Sequence, residues 1–136
     1  MADVSGITSV RPTENTIVEA VTYGDAIGIG QGVYYDTTDK EYKLADASAL
    51  ATAKTRGIAM TSGVDGGMGI IAKGGDVLLE GATIPVGVYV QSATAGGIAP
   101  EADLTTNDYL TVLGQCVNAT TKQFTIAITI SGAQHA

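Results

Sequence analysis

The apolar positions of this chain fall in short runs rich in Val, Ile and Tyr, the pattern of β-strands rather than of helices. Such runs occupy Thr16–Val21, Gly32–Asp36, Glu41–Leu44, Arg56–Met60, Met68–Lys73, Val77–Glu80, Gly87–Gln91, Tyr109–Leu113, Gln115–Asn118 and Gln123–Ile130. Turn signals separate them: Asp36-Thr-Thr-Asp39, Gly63-Val-Asp-Gly-Gly67, Gly74-Gly75, Ala95-Gly-Gly97 and Asn118-Ala-Thr-Thr-Lys122. Many short strands joined by glycine-containing turns predict an all-β barrel or sandwich. Asp46–Lys54 is Ala-rich and starts on a capping residue, which predicts one short helix; an extended loop is the alternative, because its apolar positions lack a clean 3.6 period. Residues 1–15 differ from the rest, with Val4, Ile7 and Val10 isolated among Ser, Gly, Thr and Pro12, and read as a tail or as an arm that docks on a partner.

The runs also repeat. Gly32-Val-Tyr-Tyr-Asp36, Tyr42-Lys-Leu-Ala45, Gly57-Ile-Ala-Met60 and Gly69-Ile-Ile-Ala-Lys-Gly-Gly75 are followed by a second series. That series is Gly87-Val-Tyr-Val-Gln91, Gly97-Ile-Ala-Pro100, Gly114-Gln-Cys-Val117, Phe124-Thr-Ile-Ala-Ile128 and Gly132. Gly57 to Gly75 and Gly114 to Gly132 are both 18 residues, and Gly24-Asp-Ala-Ile27 matches Gly81-Ala-Thr-Ile84 upstream. Two copies, approximately 24–75 and 81–132, predict one β-domain over 16–136. A half of that size buries little apolar surface alone, so the copies are expected to close on each other as a pseudo-symmetric barrel without free edges.

Composition narrows what such a domain does. At 136 residues the chain suits one domain, or two half-domains sharing a core. Seven basic residues against fourteen acidic ones give a net charge of −7, and the basic residues are scattered. Nucleic-acid binding rests on a basic footprint, so that class is set aside. No apolar run approaches a membrane span and no secretory leader is visible, so no membrane partner is expected. A single cysteine, Cys116, makes no internal disulfide and suits synthesis in a reducing cytoplasm. Apolar residues make up 45% but charged ones only 15%, which points to surface hidden in an assembly.

Candidate chemistry is sparse. The one histidine, His135, is next to last in the chain, which removes the Ser-His-Asp and Cys-His systems from consideration. Gly28-Ile-Gly-Gln-Gly32 precedes a strand rather than a helix, so it reads as a turn or bulge and not a phosphate loop. Asp36, Asp39 and Glu41 lack the order of a calcium loop and read as a hairpin turn, as does Asp65-Gly66-Gly67. Glu101, Asp103 and Asp108 form a charged loop, and Lys73 before Gly-Gly does not match a lipoyl or biotinyl carrier motif. No enzyme, cofactor or metal is expected, with no catalytic, cofactor-binding or metal-ligating residue nominated. Tyr34 and Tyr35 face opposite sides of a strand. Tyr34 and Tyr89 occupy equivalent repeat positions and are expected in the core, which leaves Tyr35 as a candidate subunit-interface aromatic.

Taken together, the arm, Gly24-Asp-Ala-Ile, Gly-Val-Tyr-Tyr-Asp, Arg56-Gly-Ile-Ala-Met and a second copy resemble the head decoration, or capsid cement, proteins of tailed bacteriophages, over most of residues 16–132. The resemblance implies a compact β-barrel or β-tulip-like fold and homotrimers on the outer surface of a virion assembled in the host cytoplasm. It implies contact with the major capsid protein at local three-fold positions, stabilising the head. By position, Val4, Ile7, Val10, Arg11 and Pro12 would be the capsid-contacting residues. A tail or fibre structural module, and a small ligand- or cofactor-carrying β-domain, are the alternatives.

Overall fold

The computed structural model describes residues 3–134, and they form an all-β protein. Its strands are β1 (Ser9–Pro12), β2 (Ile17–Thr22), β3 (Gly32–Asp36), β4 (Glu41–Leu44), β5 (Thr55–Ala59), β6 (Met68–Glu80), β7 (Gly87–Gln91), β8 (Ile98–Pro100), β9 (Tyr109–Asn118) and β10 (Gln123–Gln134). All ladder pairings between these strands are antiparallel, as short connections require.

The organising element is β6. Its first half lies between β2 and β5, with Ala20 opposite Ile70 and Ile58 opposite Ala72. Its second half lies between β1 and β10, with Val10 opposite Leu79 and Phe124 opposite Val77. Gly74 and Gly75, expected as a turn, instead sit inside this strand where it passes from one sheet to the other. Gly75 has φ +79°, and a Cβ there would run into the Asn15 carbonyl, so only glycine fits the crossing.

Two curled sheets therefore share one strand. The N-terminal sheet runs β4-β3-β5-β6-β2 and the C-terminal sheet runs β8-β7-β9-β10-β6-β1. In each, a Gly-Val-Tyr strand is flanked by its hairpin return and by a Gly-containing strand, followed outward by a long alternating strand. The expected full closure is not what forms. The path from β4 to β8 stays open as a half-barrel, because its two end strands do not pair. Each sheet is instead drawn round on itself by backbone contacts: a Tyr23–Tyr42 bridge and the Gly24 amide on the Tyr42 carbonyl at 2.7 Å, and the Val4 amide on the Ile98 carbonyl at 2.7 Å.

The larger core gathers Val10, Ile58, Val77, Leu79, Tyr89, Leu113, Phe124 and Ile126 among others. A second core holds Val21, Tyr23, Ile27, Val33, Tyr42, Ala59 and Ile71, and a small third joins Ala47, Val90 and Leu104. Adjacent β6 residues serve different cores, Ile71 one and Ala72 the other, since successive side chains leave opposite faces of a strand.

The seam between the two ends of the path is polar. Buried Gln91 donates to the carbonyls of Ala45 and Gly97, each at 2.9 Å, and accepts from the buried Thr55 hydroxyl at 2.9 Å. Backbone bonds from Gly32 to Gly96 and from Ala47 to Ser92 run beside it.

One local expectation is corrected. Asp46–Lys54 forms consecutive turns, not a helix: the Asp46 carboxylate accepts from the Ser48 amide at 2.9 Å, and its backbone pairs with Thr52. A side chain that holds its own loop competes with helix initiation. Within the N-terminal segment, Val4, Ile7 and Val10 pack on the larger core and β1 extends the sheet.

Candidate assembly surface

The residues nominated for partner contact divide into two groups. Val10 is 4% exposed and points into the larger core, with Val4 and Ile7 packed against its rim. Arg11 and Pro12 are turned outward; the Arg11 guanidinium lies 3.5 Å from Glu80. Tyr35 is half-buried, its ring centroid 5.1 Å from that of Tyr42 with a 56° tilt, and the Arg56 guanidinium stands 6.0 Å from its centre. This aromatic stack closes one end of the second core. Of the two tyrosines expected inside, Tyr89 is buried, its hydroxyl bonded to the Pro85 carbonyl at 2.7 Å, whereas Tyr34 is half-buried.

The large apolar surface lies elsewhere, on faces that residue type alone did not single out. Val18 opposes Ala72, Ala20 opposes Ile70, and Thr22 opposes Met68, so these side chains share one face of the N-terminal sheet. Ala72 is sealed in the larger core, but the same face continues past it to Ile70 and to Met68, which is 71% exposed. Val18 extends it at 51% exposure, and Ile17, next to it at the bulged start of β2, is 60% exposed. Glu19 and Lys73, each one residue along the strand from this face, pair with each other at 2.9 Å. A second apolar strip lies on the C-terminal sheet, where Val86, Val88 and Val117 are exposed and Val88 opposes Gln115.

Groups with reactive potential are occupied within the fold. The Cys116 thiol is buried, 3.5 Å from the Ile84 carbonyl. Asp36 accepts from Lys43 at 2.9 Å and from the amides of Asp39 and Thr38, and these donors hold its carboxyl below the usual carboxylate range. The same pairing, shared with Asp39, pushes the Lys43 ammonium up. Asp76 is held low by the Thr125 hydroxyl at 2.6 Å and by Asn15. Burial pushes the Tyr23, Tyr34, Tyr42 and Tyr89 hydroxyls up. The amides of Gly28, Gly30 and Gly32 donate to Gln31, Ala59 and Gly96, so this glycine run presents none of those three to a phosphate. In Asp65-Gly66-Gly67 the Gly67 amide closes on the Val64 carbonyl at 2.8 Å. Glu101 and Asp103 lie on a single 3₁₀ turn, and Asp108 is buried with its carboxylate on the Thr105 amide at 2.9 Å.

His135 lies outside the described residues. Among the described residues no three His, Cys, Asp or Glu side chains come together as a metal site. No helix among them is long and apolar enough to cross a membrane. No protein-family model, no curated protein and no solved structure matches this chain.

Proposed function

We propose that this chain is a structural virion protein that binds the outer surface of a phage capsid and stabilises the head as a homotrimer at local three-fold positions. The observation that carries the reading is the uncharged face of β2 and β6, where Val18, Ala20, Ile70 and Met68 stand exposed beside a filled core. Apolar patches rimmed by polar residues mark interaction surfaces on soluble domains. A decoration protein has need of such surfaces and none of an active site. Modest contacts from each subunit add as avidity once one subunit has docked. Within the N-terminal segment the outward Arg11 and Pro12 are the residues free to meet the major capsid protein, because Val10 is occupied in the core. The excess of acidic residues suits a place outside the packaged DNA.

The test combines light scattering on the purified protein with co-sedimentation on expanded and unexpanded capsids. A trimer that pellets with expanded heads, and weakly with unexpanded ones, is the expected result. A monomer that never pellets with either ends the proposal.

A further inference from the structure

Two strand edges remain open among the described residues. The edge of β4 is met by Tyr23, and that of β8 by the Val4 amide. Strands β3, β5, β6, β7 and β9 have neighbours on both sides. What is left is the outer edge of β1 and β2, and the far half of β10, which from Ala127 to Gln134 pairs only with β9.

Open edges are templates for further strands, and proteins usually guard them with lysine, proline or inward charge. On β1 the guard is present as Arg11 and Pro12. On β10 no charged residue and no proline occurs from Gln123 to Gln134, and the guard there is the set of bulges that interrupt its register with β9. On β2 the only charge is Glu19, already neutralised by Lys73.

We infer that the far half of β10 of one subunit pairs with the β2 edge of the next, so that subunits join head to tail through a continuous sheet. The occupant is a second copy of this chain. Any junction between copies of net charge −7 is favoured where neither brings free charge, and these two edges meet that condition together. Residues 127–134 are long enough to span the six residues of β2. The exposed Ile130 would meet the exposed Ile17 and Val18. Because the two edges differ, the contact is heterologous, and a heterologous contact whose rotation closes gives a ring such as a trimer, the state taken here from the oligomeric reading. The inference rests on the oligomeric reading proposed above but does not need the capsid.

The experiment uses paired charge substitutions at exposed positions, T129K/I130K on β10 and I17K/V18K on β2. Added lysines lower the net negative charge, so any dissociation reports the edges and not general repulsion. By light scattering, wild type is expected as a ring and each double variant as a monomer, with unchanged circular dichroism. Mixing the two variants restores one intact junction and is expected to give a heterodimer that stops there. In wild type the amides of 127–134 and 17–20 should exchange at least tenfold more slowly than in either variant.

A monomeric wild type overturns the inference, as does wild-type mass in either variant. Retention by I17K/V18K alone would overturn it too, assigning β10 to a symmetric contact with itself. A head-to-tail ring that ignores capsids leaves this inference standing and ends the decoration reading, whereas a capsid-binding monomer does the reverse.

Discussion

Gln91 bonds to Ala45 and Thr55 from the first half of the chain and to Gly97 and Ser92 from its own half without touching solvent, so its removal leaves several polar groups stranded at once. Stranding buried donors and acceptors costs more than the bonds themselves contribute. Gln91→Ala is expected to lose about 3 kcal/mol of stability in urea titration, cavity included. Thr55→Val, which removes one hydroxyl, is expected to lose about 1 kcal/mol. Gly75 and Gly66, two of the glycines with positive φ, separate strain from collision. Gly66 has open space where a Cβ would stand, and Gly75 has a carbonyl in the way. Gly66→Ala should therefore cost about 1 kcal/mol in thermal melts, and Gly75→Ala several times that. Asp76 gives a pH dependence with a defined sign. Its folded carboxyl is held below the ordinary 3.8, so its contribution is present above that value and lost as pH falls through the folded one. Asp76→Asn should flatten the acid limb of melting temperature against pH, and an unchanged limb would refute the role. None of this is legible in the sequence: a lone Gln closing a strand looks like any surface residue, and only the packed seam reveals it as a clasp.

At the scale of elements, alternation of apolar residues locates the strands well and glycine misleads at two of them. Gly74-Gly75 looks like a hairpin and Gly114 like a break, yet both lie inside long strands, β6 and β9, that curve where the glycines relax the backbone. The brief β8 escapes pattern reading, with only Ile98-Ala-Pro100 to announce it, and so does β1. Ser9–Pro12 lacks a strand's density of β-branched residues and is extended because β6 offers it a partner. That tertiary origin can be tested by comparing neighbours. Val10→Ala should cost about 2 kcal/mol through lost burial, while Arg11→Ala, at an exposed ion pair, should change stability by less than about 0.5 kcal/mol. Equal, small effects would mean that the segment does not hold the core. The Asp46–Lys54 turns are a comparable case, since Ala-rich composition favours a helix while the Asp46 carboxylate and Thr52 tie the loop into itself.

For the whole molecule, the fold class and the scatter of basic residues can be read from composition and pattern, whereas the apolar face cannot. Val18, Ala20, Ile70 and Met68 become a surface only when β2 lies in register against β6, and register is a tertiary fact. The charge of −7 makes a further prediction about assembly. Subunits of like sign repel, and salt screens that repulsion within a Debye length of roughly 8–10 Å at 0.1–0.15 M. Subunit dissociation followed by analytical ultracentrifugation should therefore weaken as sodium chloride rises from low ionic strength. Stronger dissociation in salt would point to ion pairs across the junction instead.

The place of β6 in both sheets bears on synthesis as well as on architecture. Ser9 must wait for Glu80, and Val4 for Ile98, before either can form its native contact. The partner on the other side of β6, Phe124, emerges later still. Pairings this far apart in sequence make folding slow, on the order of milliseconds to seconds. A ribosome-bound nascent chain stalled before residue 98 would hold its N-terminal segment unsatisfied. Force or protease protection at Val10 should then arise abruptly, only after the second half of the protein has cleared the exit tunnel.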